Sequence, residues 1–252
     1  MKRLLSIFDY SGSWSAPYFE AGWDVLHWDL KYDLDVKVFK TYGDSLEILE
    51  DIDGILAAPP CTDFTVSGAQ YWPAKDQDGR TAQSLALVEY VLKLANSFEP
   101  TCPDYLEEYG YTFFWCMENP VGRLPKLINI GNPQYFDPCD YAGYLDMTDS
   151  DHNELDRLRR KDGRGITWEE IEFIIHYNAY TKKTGLWGKF TMPEKKRIEP
   201  VRCTPQGSWT QRLGGKSDRT KELRSNTPEG FARAFYQSNK ALTNYEVEEL
   251  NA

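Results

Sequence analysis

Four short apolar runs, each closing on turn-forming or acidic residues, constrain this chain more than anything else in it. Leu4–Phe8 ends in Asp9–Tyr10–Ser11–Gly12, Trp23–Trp28 ends in Asp29, Asp53–Ala58 ends in Pro59–Pro60, and Thr112–Met117 breaks at Glu118–Asn119–Pro120. Helix-like stretches lie between them: Ala16–Ala21, stopped by Gly22, and Thr81–Leu94, with an apolar stripe at Leu85, Val88, Val91 and Leu92. Strands alternating with helices predict an α/β fold with a mostly parallel sheet, its functional groups at the carboxyl ends of the strands. Further along, Thr167 with Glu170 forms a capping box for a helix through about Tyr177, and Pro228–Asn239 reads as helix with proline near its start. Asp146–Gly165 is highly charged with few apolar anchors and reads as a mobile surface insertion, while Phe190–Lys221 shows little periodicity. No internal repeat is present.

A chain of 252 residues with 41% apolar and 27% charged content suits one α/β domain, or a large domain with a small appendage. Apolar runs are too short to span a bilayer and Met1–Ile7 lacks a cleavage site, so the expected compartment is the cytoplasm. The five cysteines (Cys61, Cys102, Cys116, Cys139, Cys203) form no C-x-x-C pair, which argues against a disulfide framework and a zinc ribbon. His27, His152 and His176 are too dispersed to complete a metal set. The net charge is −10, yet Lys182–Arg224 holds twelve basic residues against four acidic ones, leaving −18 on the rest. An acidic body thus carries one basic module, either a phosphate-contacting surface or an ordinary solvated face.

Ala58–Pro59–Pro60–Cys61–Thr62 places a thiol on a stiff loop at the end of a buried-looking strand. Such a cysteine can be a nucleophile, or simply a small buried apolar residue. In Trp115–Cys116–Met117–Glu118–Asn119–Pro120 a carboxylate ends the neighbouring apolar run; burial would raise its pKa and let it protonate a ring nitrogen, the alternative being an ion-paired glutamate.

The order of Phe8-x-x-x-Gly12, Asp29, Gly43–Asp44, Pro60–Cys61, Glu118–Asn119–Pro120 and Asn226–Thr227–Pro228 resembles the C5-cytosine DNA methyltransferases, particularly the compact forms carried by bacteriophages. The resemblance covers most of the chain except Thr191–Lys221 and the charged insertion. It implies a Rossmann-like, S-adenosylmethionine-dependent methyltransferase fold. Residues 1–190 would form the catalytic and cofactor-binding domain, 191–221 a short, irregular, basic target-recognition segment, and 222–252 a C-terminal helix returning to the catalytic domain. By this resemblance Cys61 adds to carbon 6 of cytosine and Glu118 holds the exocyclic amine and ring nitrogen 3. A cation is expected beside the thiol. Lys182 and Lys183 lie where the family has an arginine-bearing motif, from which Tyr180–Thr181–Lys182–Lys183–Thr184 departs; either lysine could serve, and Lys183 is assigned to the catalytic set.

For S-adenosylmethionine the resemblance implies Phe8 against the adenine, the Tyr10 and Gly12 turn facing the methionine end, Asp29 on the ribose, Asp44 on the adenine amine, and Pro60 and Asn226 completing the pocket. Tyr10 and Ser13 stand where the family usually has glycine, and Ser225 likewise. The implied partner is double-stranded DNA with its target base flipped out, bound by a monomer in the cytoplasm, that of a host cell if the source is a phage. Its expected contacts are Arg123, Lys182, Lys195, Lys196, Arg197, Arg202 and Arg212, with Trp187 and Trp209 among the charges and Gly68–Trp72 either closing over the base or forming a packed aromatic loop. No metal is expected. Two other readings stay open: the same chemistry on RNA or a free cytosine nucleotide, and a regulator that mimics DNA or binds the cofactor without turnover.

Overall fold

The computed structural model describes residues 1–29, 52–98, 113–161, 165–204, 207–212 and 223–240. Asp44, Cys102 and the basic residues Lys216, Arg219 and Lys221 lie outside the described residues.

The chain is a mixed α/β protein built on a six-stranded sheet. Strands β1 (Arg3–Ile7), β2 (Asp24–Trp28), β3 (Gly54–Ala57) and β4 (Phe114–Pro120) run parallel, with β1 paired to both β2 and β3, and β3 to β4. Two antiparallel strands, β5 (Gln134–Phe136) and β6 (Thr184–Lys189), complete the order β2-β1-β3-β4-β6-β5. Because β1 leads to β2 on one side and lies against β3 on the other, strand order reverses between β1 and β3. In open parallel sheets that position leaves a crevice above the carboxyl ends.

Alternation along the strands divides the core into two layers. Leu5, Ile7, Ile55, Ala57 and Met117 pack with Val88, Val91 and Leu94 of helix α3 (Arg80–Phe98), which follows the short helix α2 (Trp72–Gln77). Leu4, Leu56 and Cys116 face the other way, against Trp14, Tyr18 of α1 (Ala16–Glu20), and Phe231 and Phe235 of the last described helix. Burial on both faces explains why the strands read as unbroken apolar runs.

A third cluster is separate from the sheet. It joins Leu155 and Leu158 of α5 (Asp149–Arg159), Ile171 and Ile174 of α6 (Trp168–His176), and Val201, Cys203 and Trp209. Between β4 and β5 lies the single turn α4 (Leu124–Leu127), and α7 (Glu229–Asn239) closes the described chain.

Three expectations are corrected. The described part of the charged stretch, 146–161, is not a loose insertion: Thr148 and Asp151 cap α5 reciprocally, and two buried leucines three residues apart anchor it. Charge on its outer face is matched by Arg157 and Lys161, both paired with Glu170. Second, β4 does not break at Glu118, because β6 continues the ladder to Pro120 opposite Thr184. That pairing requires glycine at 188, where φ is +141° and a Cβ would meet the Trp115 carbonyl oxygen at 2.1 Å. Third, Trp187 and Trp209 are core residues, 5% and 0% exposed, and so present no surface to a partner. The described part of 191–221 packs onto the body. Thr191 exchanges hydrogen bonds with Asn239 of α7, and Val201, Cys203 and Trp209 share the third cluster with α5 and α6.

Candidate functional site

Neighbouring strands bring Cys61 and Glu118 to one edge. Ala57 is in register with Met117, so the chain leaves β3 beside Glu118 and reaches Cys61 through Ala58, Pro59 and Pro60. The proline rings fix φ at both positions, which keeps this approach stiff. Asn119, fully buried, donates from Nδ2 to the Pro59 carbonyl at 3.1 Å and ties the glutamate strand to the cysteine loop. After Cys61 the chain turns at once, the Phe64 and Thr65 amides donating to the Cys61 carbonyl at 3.0 and 3.1 Å.

Two further charges act on this edge. Lys182 enters just ahead of β6, and its Nζ donates to the Arg224 carbonyl at 2.6 Å. Asp9 ends β1; it is buried and accepts from Ser6 Oγ, Ser15 Oγ and the Ser15 amide at 2.9–3.1 Å. Burial pushes the Cys61 thiol up to about 11, Glu118 adds to the rise and Lys182 opposes it. Burial also raises the Glu118 carboxyl, helped by Asp9 and opposed by Lys182. At neutral pH the thiol is therefore protonated in the free protein, and the surroundings of the glutamate favour its neutral form more than water does. Burial, Glu118 and Asp63 all hold the thiol up, so neutralising Glu118 removes one of these three influences and the two groups are electrostatically coupled.

Lysine 183 takes a different place: its ammonium sits 4.6 Å from the centre of the Tyr135 ring, at the surface. Lys182, one residue earlier, is the lysine whose charge reaches both Cys61 and Glu118.

The β1–α1 turn is the second feature of this edge. Phe8 has φ +62°, a left-handed conformation rarely adopted by a non-glycine residue, and its amide donates to the Trp28 carbonyl at 2.7 Å. Its ring packs on the α3 side of the core. Gly12 has φ +67°, while Tyr10 is exposed on the same turn. Ser11, Gly12 and Ser13 line a cleft of about 430 Å³ whose opposite walls come from Asn178, Tyr180 and the Asn226–Pro228 approach to α7. Asn226 Oδ1 is buried there without a hydrogen-bond partner among the described residues. The cleft thus brings Gly12 and Asn226 together, whereas Cys61 and Glu118 are not among its walls. Asp29 is partly buried just beyond β2, and Pro60 is exposed beside Cys61.

Most of the expected nucleic-acid contacts have internal partners. Lys195 and Arg197 both pair with the buried Asp140, the first at 3.0 Å. Lys196 lies 4.3 Å from the centre of the Tyr144 ring, Arg212 donates to the Ile166 carbonyl, and Arg202 is exposed. Arg123 is turned inward: it is 8% exposed, donates to both Asp76 carboxylate oxygens at 2.7 and 2.8 Å, to Thr81 Oγ1 and to the Asp63 carbonyl, and lies 4.7 Å from the centre of the Trp72 ring, so the structure engages it with protein partners.

Sequence reasoning missed Lys75, a buried lysine of α2 that donates to the Thr62 carbonyl at 2.6 Å and pairs with Asp63 at 2.9 Å. The signal was Trp72–Pro73, proline in the first turn of a helix, which announces α2 and so places Lys75 one turn in. Among the described residues no group of three or more His, Cys, Asp or Glu is placed to hold a metal, and no helix is long and apolar enough to cross a membrane. The chain matches no protein-family model and no curated protein.

Proposed function

We propose that this protein is a Rossmann-like methyltransferase that transfers a methyl group from S-adenosylmethionine to carbon 5 of cytosine in double-stranded DNA. The observation that carries the reading is the convergence of Cys61, Glu118 and Lys182 at the carboxyl edge of adjacent strands, with thiol and carboxyl electrostatically coupled.

The chemistry needs these groups. Carbon 5 of cytosine is a poor nucleophile until a sulfur adds to carbon 6, so Cys61 forms that bond and Glu118 delivers a proton to ring nitrogen 3 as the ring accepts charge. A thiol held near 11 must give its proton to solvent before attack, and Lys182 is the cation that stabilises the resulting thiolate; once carbon 5 has taken the methyl group, loss of its own proton to solvent breaks the bond from carbon 6 to the Cys61 sulfur and restores the ring double bond. Since a stacked base cannot present carbon 6, the target nucleotide has to leave the duplex. Two of the residues expected to hold the cofactor, Gly12 and Asn226, line the cleft beside β1, where the Gly12 backbone is bare of a side chain and Asn226 Oδ1 is an acceptor in need of a donor such as an ammonium; Phe8, Tyr10, Asp29 and Pro60 are not among its walls. When bound, S-adenosylmethionine supplies an electrophilic methyl group. Free thiols at Cys61, Cys116, Cys139 and Cys203 suit a reducing compartment such as the cytoplasm.

A duplex containing 5-fluorocytosine tests the reading. With S-adenosylmethionine present, a covalent adduct through Cys61 is expected; its absence on DNA, RNA and nucleotide alike removes the proposal.

One observation favours a second reading, the same chemistry on RNA or free cytosine nucleotide: Lys182, Lys195, Arg197 and Arg212 are engaged with partners inside the protein. Duplex binding that weakens steeply with salt, with a log–log slope of several units, supports DNA, whereas a flat slope with faster transfer to mononucleotide supports the second reading.

A further inference from the structure

The loop that follows Cys61 and the loop that follows Glu118 are stitched into one unit from several directions. The Arg123 amide donates to the Phe64 carbonyl at 2.9 Å, its Nε to the Asp63 carbonyl at 3.1 Å, and the Val66 amide to the Val121 carbonyl at 3.4 Å. Thr65 and Gly122 form an isolated bridge so close that a Cβ on residue 122 would lie 2.0 Å from the Phe64 carbonyl oxygen. Helix α2 grips the same loop from the far side. Lys75 holds the Thr62 carbonyl and Asp63, whose other oxygen accepts from Ser84 of α3 at 2.6 Å. Asp76 orients the guanidinium that reaches across.

Two buried cations gripping the carbonyls of two consecutive residues, Thr62 and Asp63, are more than a short surface loop needs to stay folded. Burial alone would raise the Asp63 carboxyl, yet the Ser84 and Lys75 contacts bring it below its ordinary value, so the anchor is charged at neutral pH. Direct hydrogen bonds to Arg123 and then Thr81 hold Asp76 down at about 2.

We infer that Arg123 and Lys75 are positioning residues: through the Thr62–Phe64 backbone they fix the Cys61 sulfur relative to Glu118, so that thiol and acid are in register before any substrate arrives. This deepens the methyl-transfer reading and rests on it for its purpose, but the geometry can be tested without methyl transfer.

The test follows alkylation of Cys61 by iodoacetamide as a function of pH, resolved by peptide mass spectrometry, in the full chain. The charged groups acting on this thiol are Glu118, Lys182 and Asp63. In the otherwise unaltered protein Glu118→Gln lowers the alkylation midpoint, because a neighbouring negative charge is lost. In Arg123→Lys and Lys75→Met backgrounds that shift should shrink by at least half. An undiminished shift in both backgrounds overturns the inference. Asp76→Asn, at a half-exposed position, loosens the guanidinium while leaving the arginine in place, and decides the matter if the buried variants do not fold. A second readout is adduct formation on the 5-fluorocytosine duplex, where about a 10²-fold slower rate at unchanged KM is expected. Leu155→Ala, remote in the third cluster, serves as comparator for lost stability; if it slows adduct formation as much as Arg123→Lys at matched melting temperature, a positioning role is excluded. Absence of any adduct with the unaltered protein defeats the methyl-transfer reading, whereas the alkylation cycle still decides the positioning inference.

Discussion

Two turns at the carboxyl edge of the same sheet are held by opposite chemistry. After β1, a buried carboxylate, Asp9, collects hydroxyl and amide donors from its own neighbourhood, and the turn leaves beside it an open cleft with an unpartnered acceptor at Asn226. After β3, two buried cations arriving from other elements, Lys75 and Arg123, seize backbone carbonyls and tie the loop to its neighbours. A turn fixed locally can leave room for a ligand; a loop fixed by distant elements can hold one atom to a position. The difference separates the place suited to binding from the place suited to bond making.

The sharpest way to break this contrast is Cys61→Ser, which on the proposed mechanism removes covalent chemistry. Methyl transfer should fall below detection with cofactor binding, measured calorimetrically, intact. Next comes Glu118→Gln, expected to cost about 10²–10⁴-fold in turnover. It should also move the Cys61 titration down from about 11, because the carboxyl stands among the causes of the rise. The sign is fixed: removing a negative neighbour favours thiolate, so alkylation at a given pH becomes faster while turnover becomes slower. On the β1 side, Gly12→Ala puts a side chain at φ +67° and should raise the KM for S-adenosylmethionine more than it changes kcat, at a stability cost of about 1 kcal/mol or slightly more. An equal effect on kcat alone would blur the division between the two turns. The smallest effect belongs to Thr148→Ala, which removes the reciprocal cap of α5 far from either turn; about 1 kcal/mol of stability should be lost in a denaturant titration, with activity per folded molecule unchanged.

The strands were legible because a sheet covered on both faces writes itself as apolar runs, and Cys61 and Glu118 stood out because each ended such a run. Harder to read was what depends on pairing. Gln134–Phe136 is too short to carry a period, and Thr184–Lys189 contains two glycines, so β5 and β6 exist through their ladder with β4 rather than through propensity. The helix α5 was hidden because only two of its residues are buried, and charge pairing does not show in an apolar pattern. Lys75 and Arg123 illustrate the general difficulty: a cation in a sequence looks like surface, and only the fold shows that carboxylates 12 and 47 positions away in the chain have drawn it inside. The same lack of context made Trp187 and Trp209 resemble contact residues.

One consequence follows from the direction of β6. Parallel strands all present their outgoing ends at the reactive edge, so each group there costs a connection that must travel back across the sheet. By running the other way, β6 presents its incoming end instead, and Lys182 arrives beside the thiol with only one residue between it and the strand. Its charge is delivered by the approach to a strand rather than by the tail of one. Lengthening the chain just ahead of Thr184 would therefore dislodge that charge while leaving the segments that carry Cys61 and Glu118 unaltered.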